Sequence, residues 1–339
     1  MKALICIPMG DPAGVGPEVA LTAVADPGLA ETARTLIVGS RHVLERAAAC
    51  LKRDIPLHEA DPRLAGPDAL REGVCNYIEC GDVPTSFEYG QVDAACGKAA
   101  YDCIVKATEL AMDGRVDALA TTPINKVALT EAGIDYIGHT EILAALAGVE
   151  DPLTMFQVRN LRVFFLTRHM SLREACRSIT EERVYRHIQR CCGALERLGI
   201  SRPRIAVAAL NPHGSEHGLF GDEEDSFIAP AIERARRAGF DAHGPKPADS
   251  VFHFALGGVW DCVLSLYHDQ GHIATKMVDF DRTIAVTHGL PFLRTSVDHG
   301  TAFDIAGTGK AGAASMVEAV RLAALYAPQF RRRERLSSP

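Results

Sequence analysis

Cys262-Val263-Leu264-Ser265-Leu266 is followed directly by Tyr267-His268-Asp269-Gln270-Gly271-His272, a short apolar run that stops at a polar, histidine-bearing segment. Such a run, bounded by polar residues, reads as a strand buried on both faces. The layout recurs along the chain, at Ala3–Ile7, Thr35–Val38, Ala118–Thr121, Leu161–Leu166, Arg204–Leu210 and Thr283–Thr287. Segments with helical periodicity lie between these runs, at Arg41–Lys52, Val92–Met112, Glu181–Leu198 and Ile228–Ala238. In Glu181–Leu198 the apolar side chains Val184, Ile188, Cys191, Leu195 and Leu198 form one core-facing stripe, and Gly199 stands where a left-handed C-cap belongs. Strands alternating with helices predict an α/β fold on a largely parallel sheet.

In a parallel sheet the carboxyl ends of the strands share one edge, and ligands bind there. His268 follows Cys262–Leu266, His169 follows Leu161–Leu166 and His213 follows Arg204–Leu210. One histidine alone more often hydrogen-bonds or titrates than binds a metal. Three in the same topological position are a candidate ligand set for a catalytic divalent ion (Zn²⁺, Mg²⁺, Mn²⁺ or Co²⁺) with an open coordination position. The surrounding Asn211-Pro212-His213-Gly214-Ser215-Glu216 and Asp269-Gln270 offer carboxylates and amides that can fix ring orientation. His272 either competes with His268 as a ligand or stabilises the turn.

Lys126, in Thr121-Thr122-Pro123-Ile124-Asn125-Lys126, also follows a strand, and Lys276 and Arg294 lie beyond His268. Three cations near a metal suit a substrate bearing carboxylate and phosphate groups, although solvation at the surface is the commoner fate of a lysine. Gly10-Asp11-Pro12-Ala13-Gly14-Val15-Gly16-Pro17-Glu18 joins the first strand to a helix, with Pro17 suited to the first turn. It is not the Gly-x-Gly-x-x-Gly dinucleotide fingerprint, and a tight turn accounts for its glycines equally well.

At 339 residues, 47% of them hydrophobic and 23% charged, the chain has the composition of a globular protein of about two domains. A net charge of −7, from 43 acidic and 36 basic side chains, argues against a nucleic-acid partner. No apolar stretch approaches the roughly 18 residues of a membrane span, and no signal peptide is expected. The ten cysteines are scattered without a Cys-x-x-Cys pair, which reads as reduced thiols in a cytoplasmic protein. The run Arg331–Arg335 reads as a solvated tail.

Together these motifs resemble the 4-hydroxythreonine-4-phosphate dehydrogenase family of pyridoxal phosphate biosynthesis. Gly10–Glu18, Gly138-His139-Thr140-Glu141, the three histidine motifs, Gly289–Ser296 and Asp298-His299-Gly300-Thr301-Ala302 carry the resemblance over nearly the whole chain. It implies a two-domain α/β fold like that of the isocitrate and isopropylmalate dehydrogenases, with the active site in a cleft and completed across a homodimer. The expected domains are 1–140 with 272–330, which holds the nucleotide-binding loop, and 141–271, which holds the histidines and dimer contacts.

By the same resemblance His169, His213 and His268 are metal ligands, one of them donated by the partner subunit. His139, Thr140, Lys276 and Arg294 match substrate-binding positions, and Lys126 looks like a further phosphate contact. Asp298–Gly307 is similar to the nucleotide loop of the isopropylmalate enzymes, placing NAD or NADP on His299, Gly300, Thr301, Ala302, Asp304 and Gly307. The implied reaction is metal-assisted oxidation of the C3 hydroxyl of a 4-phosphorylated hydroxy acid, whose β-keto acid product can lose carbon dioxide. Asp249, Asp269 and Lys276 are unranked candidates for the proton acceptor.

One position departs from the family. Ala285 stands where members carry an asparagine that contacts substrate, so that contact is missing or is met by another group such as His288. Gly218–Glu224 and Asp269–Ile273 look closer to the branch acting on 4-phospho-threonate and 4-phospho-erythronate. A cis-dihydrodiol carboxylate dehydrogenase of the same family stays open, although Lys126 argues for a phosphorylated substrate. A metal-dependent hydrolase is the rival of another class, but it would have no use for the Asp298–Gly307 loop. A small-molecule binding protein without activity would not need the histidines and cations together.

Overall fold

The computed structural model describes residues 2–61 and 70–337, with side chains as far as Phe330 at the C-terminal end. The chain divides into two compact units, Met1–Pro152 with Gly289–Pro339, and Leu153–His288. The junctions expected near 140 and 272 fall inside the helices His139–Ala147 and His268–Val278, and the observed ones lie outside both.

In the first unit the strands are β1 (Ala3–Pro8), β2 (Ala33–Gly39), β3 (Leu57–Glu59), β4 (Cys75–Glu79), β5 (Ala118–Thr121) and β12 (Leu293–Ser296). Their order is β3-β4-β2-β1-β5-β12, and every pairing is parallel. All residues of β1, β5 and β12 are buried, as expected for parallel strands covered by helices. Helix Ala94–Met112 begins two residues later than its periodicity suggests. The Asp93 carboxylate caps it, accepting from the N–H of Ala95 at 2.7 Å and of Cys96 at 3.3 Å.

The second unit contains β6 (Leu153–Val158), β7 (Leu161–Phe165), β8 (Ile205–Ala208), β9 (Ala242–Lys246), β10 (Cys262–Ser265) and β11 (Ile284–His288), in the order β11-β6-β7-β10-β8-β9. Strands β7, β10, β8 and β9 are parallel, whereas β6 runs antiparallel to both β7 and β11. The tight turn between β6 and β7 holds Arg159 at φ 51°, a left-handed position filled without a glycine. One core cluster packs Phe156, Val163, Phe165, Val251 and Val263 together. Helix Glu181–Arg197 buries Val184, Ile188, Cys191 and Leu195, is capped by Thr180, and is followed by Gly199 at φ 91°.

The backbone of the last helix, Ala314–Ser337, continues through the arginine run, so that segment is helical rather than a coil. The side chains of Arg331–Arg335 lie outside the described residues. No helix among the described residues is long and apolar enough to cross a membrane.

Candidate active site

Because β7, β8 and β10 run parallel, their carboxyl ends deliver His169, His213 and His268 to one edge of the second unit. Buried Gln270 ties two of these ends together: its Oε1 accepts from Leu266 N–H at 2.7 Å and its Nε2 donates to Ala209 O at 2.8 Å. The rings of His169 and His268 approach to 6.1 Å between centroids. Two imidazoles sharing one ion through bonds of about 2 Å have centroids roughly 5–6 Å apart, so this pair fits a divalent metal. His268 Nδ1 pairs with Asp269 Oδ1 at 2.7 Å, which orients the ring and leaves Nε2 as the nitrogen that could hold an ion.

His213 is not gathered with that pair. Among the described residues no group of three or more His, Cys, Asp or Glu side chains of the single chain is placed to hold an ion. His213 lies in a turn where five consecutive residues, His213 to His217, adopt left-handed conformations, with φ of 55°, 70°, 67°, 46° and 58°. Four of the five are not glycine, and such strain persists only where neighbours enforce it. Glu224, 1% exposed, holds the entry to this turn by accepting from the N–H groups of Leu210 and Asn211, each at 2.7 Å. Sequence reading quoted Glu224 within Gly218–Glu224 without assigning it this part.

His268, His272 and Lys276 recur four residues apart and therefore share one helix face. The His272 ring is pressed between Phe156 and Phe165, at 4.3 and 4.7 Å, and stacks on His268 at 4.0 Å. Burial, with His268 and Lys276 beside it, lowers its pKa to about 4, so it stays neutral. Lys276 Nζ lies 5.0 Å from the Phe280 ring. Of the other candidate proton acceptors, Asp269 is committed to His268, and Asp249 is exposed in the first turn of helix Ala248–Leu256.

Ala285 and His288 settle the question left by the missing asparagine. Residues three apart on a strand face opposite sides. Ala285 packs in the Phe156–Phe165 cluster, whereas His288 turns to Phe164, at 5.6 Å. The His288 ring is 3% exposed, has no hydrogen-bond partner and is held neutral, its pKa lowered to about 3 chiefly by burial. It cannot replace an asparagine at 285.

In the first unit Arg294, on β12, is 4% exposed and donates through Nε and Nη2 to Thr121 Oγ1 at 3.0 and 2.8 Å. Burial lowers its pKa to about 9. His139 starts helix His139–Ala147 with Thr140 beside it; its Nε2 is shielded and unpartnered. Burial, reinforced by Arg294, pushes the His139 pKa well down. A neutral imidazole beside a buried guanidinium is a place for an anion. Lys126 is exposed at the start of helix Lys126–Glu131, which Asn125 caps at Ala128 N.

The loop after β12 places His299, Thr301 and Ala302 half-buried and Gly300 and Asp304 exposed. A Cβ added to Gly300 would meet no atom within 4 Å, so the loop surface there is open. His299 Nε2 pairs with Ser315 Oγ at 2.9 Å, and Gly307 adopts φ 76°. An open, glycine-containing main-chain surface fits a dinucleotide.

One α/β unit holds the buried Arg294–His139 pair and an open glycine loop, and the other holds the His169–His268 pair at its strand ends. Residues 31–323 match the family described as pyridoxal phosphate biosynthetic protein PdxA, and the chain belongs to this family of dehydrogenases. A relative from Fusobacterium nucleatum, provisionally named D-threonate 4-phosphate dehydrogenase, is 55% identical over 98% of this chain and 99% of its own length. The crystal structure of 4-hydroxythreonine-4-phosphate dehydrogenase from Klebsiella pneumoniae is 41% identical, with a TM-score of 0.89 over 96% of this chain and 98% of that one. A terephthalate 1,2-cis-dihydrodiol dehydrogenase from Burkholderia xenovorans is 27% identical, with a TM-score of 0.65 over 96% and 98% of the two chains.

Proposed function

We propose that the protein oxidises the C3 hydroxyl of a four-carbon hydroxy acid phosphorylated at C4, turning over 4-phospho-threonate or 4-phospho-erythronate at least as well as 4-phosphooxy-threonine. The observation that carries this reading is the buried Arg294 guanidinium beside neutral His139, a site suited to an anionic group of the substrate. The 55% identity to a relative provisionally named for D-threonate 4-phosphate supports the choice of acid. So does Ala285, whose methyl group lies among apolar side chains and offers no hydrogen bond.

In this reading Arg294, His139 and Thr140 hold the anionic substrate, and Lys126 adds a charge-assisted contact to its phosphate. His169, His213 and His268 would hold the divalent ion, with one ligand from a second copy of the chain. That ion supplies Lewis acidity toward the hydroxyl being oxidised. His299, Gly300, Thr301, Ala302, Asp304 and Gly307 would hold NAD or NADP, which would supply the hydride acceptor. Asp269 would keep His268 oriented, and Lys276, on the same helix face, is the candidate acceptor of the hydroxyl proton in this reading. The keto acid formed is a β-keto acid and is open to loss of carbon dioxide.

A homodimer is supported by the same helix and the segment that follows it. Ile273, Met277 and Phe280 are 63%, 81% and 66% exposed, an apolar face that a second copy would cover. All ten cysteines are free thiols, as in a cytoplasmic protein. The test is absorbance of the reduced nicotinamide across a panel of substrates with each dinucleotide. Turnover of the phospho-acids at least equal to that of 4-phosphooxy-threonine is expected. A dihydrodiol carboxylate outrunning every phosphorylated candidate would refute the reading.

A further inference from the structure

The opening motif Gly10–Glu18, whose glycines read as a tight turn, lies against the loop that follows β12. Glu18, 1% exposed in the first turn of helix Gly16–Val24, accepts through Oε1 from Gly307 N–H at 2.7 Å and through Oε2 from Gly309 N–H at 2.8 Å. The helix N-terminus favours a negative charge at that point. Thr301 is held a few residues away, its carbonyl accepting from Val15 N–H at 3.0 Å. A Cβ on Gly14 would come within 2.8 Å of Thr301 Cβ, and one on Gly90 within 2.6 Å of Phe303 O. Gly307 and Gly309 adopt φ of 76° and 67°, and side chains there would strike Tyr89 and the carbonyl of Cys50. The loop is thus supported from beneath along its length and left open at Gly300 and Asp304.

We propose that Glu18 is a positioning residue for the dinucleotide: its carboxylate fixes the Gly307–Gly309 limb so that the open surface of the loop is formed before the cofactor arrives. The inference rests on reading His299–Gly307 as the dinucleotide site. A carboxylate suits this place because each of its two oxygens meets one of the N–H donors, whereas an amide would turn N–H₂ toward the second. Preforming the loop removes an ordering cost from binding, so loss of Glu18 weakens dinucleotide binding and spares the anion site at Arg294.

The experiment compares wild type, Glu18→Gln and Gly300→Leu by calorimetric titration with NAD⁺, NADP⁺ and, separately, inorganic phosphate. Glu18→Gln keeps the volume but turns an amide N–H₂ toward one of the two donors. Its Kd for the bound dinucleotide should rise roughly tenfold or more, with phosphate binding unchanged. Gly300→Leu projects into open space and should block the dinucleotide without disturbing the fold. If Gly300→Leu loses the dinucleotide while Glu18→Gln binds it like wild type, the Glu18 inference fails and the loop reading stands. If Gly300→Leu also binds like wild type, the loop reading fails and takes the inference with it. Hydrogen exchange on the unaltered protein reads the same anchor without a substitution. Amides of Gly307 and Gly309 should be protected before dinucleotide is added, and exchange at the rate of an open chain would overturn the proposal.

Discussion

The Glu224 carboxylate holds Asn211 twice, accepting its main-chain N–H through Oε1 at 2.7 Å and its side-chain amide through Oε2 at 2.8 Å. Asn211 leads into the strained turn that carries His213. Glu224→Ala would leave the half-buried N–H donors of Leu210 and Asn211 without their acceptor, at up to about 1 kcal/mol each. The turn would relax, and divalent-metal affinity should fall about 10–100-fold, the usual effect of losing an outer hydrogen-bond partner. Glu224→Gln, which retains Oε1, should be milder. Calorimetric metal titration alongside thermal unfolding checks both variants, and wild-type metal affinity in Glu224→Ala would separate this turn from metal binding.

The metal set gives a second expectation. His169 and His268 stand at a distance that one ion can bridge, while His213 is not gathered with them in the same chain. Purified protein should therefore carry about one divalent ion per chain only as a dimer. Replacing any of the three by Ala should abolish turnover while leaving the circular dichroism spectrum intact. Mixing His169→Ala with His268→Ala protein should restore activity only if these two ligands of a site come from different copies. Restoration by a His213→Ala mixture instead would make His213 the donated ligand. A fully active monomer in sedimentation would rule out a shared site.

Much of this frame was legible in the sequence because buried strands are short, apolar and bounded. β1, β5, β7 and β10 were located to within a residue or two at each end. β3, β4, β6, β9 and β12 were missed, and in β4 and β6 the polar residues Asn76, Thr154 and Gln157 interrupt an otherwise buried run. β9 reads Ala-His-Gly-Pro-Lys and is half-buried, and β3 is three residues long at the margin of its sheet. β12 was absorbed into the Gly-Leu-Pro motif preceding it. Lys126, His139 and Arg294 were each singled out, but nothing in residue spacing could show that Arg294 would be buried against Thr121, 173 positions away. Glu18 and Glu224 eluded the reading for the same reason: a carboxylate that binds main-chain N–H groups leaves no pattern in side-chain types.

Asp11 supplies a pH prediction. It is 1% exposed; Oδ1 accepts from Ala13 N–H at 2.9 Å, and Oδ2 is shielded and unpartnered. Burial, with Asp93 nearby, raises its pKa from 3.8 to about 6. The folded state therefore binds this proton more tightly than the unfolded chain does. Its contribution to stability is fully present below about pH 4 and is lost as pH rises to about 6, amounting to about 3 kcal/mol. Asp11→Asn keeps the acceptor and removes the titration. The difference in unfolding free energy between wild type and Asp11→Asn, followed by urea denaturation from pH 4 to 7, should shift against wild type across that window. A pH-independent difference would show that Asp11 does not titrate there.

The last prediction concerns substrate choice and follows from where Ala285 lies. Ala285 is 8% exposed and pairs across the sheet with Phe156, beside Phe165 and Val163. An amide introduced there must reach substrate or stay buried without a partner, and the second outcome costs about 1–3 kcal/mol. Ala285→Asn should therefore lose stability without ligand and recover part of it with a substrate whose polar group meets the amide. With 4-phosphooxy-threonine, kcat/KM should rise relative to that for 4-phospho-threonate, because a bound polar group then pairs with the new amide. Lys126→Ala acts on the other end of the molecule. It is exposed and outside the core, so the fold should be unaffected. KM for every phosphorylated acid should rise by about tenfold, the worth of one charge-assisted hydrogen bond, while a non-phosphorylated analogue is turned over as before. Equal losses on both kinds of substrate would mean that Lys126 does not read the phosphate. An unchanged preference in Ala285→Asn would mean that position 285 does not set the choice of acid.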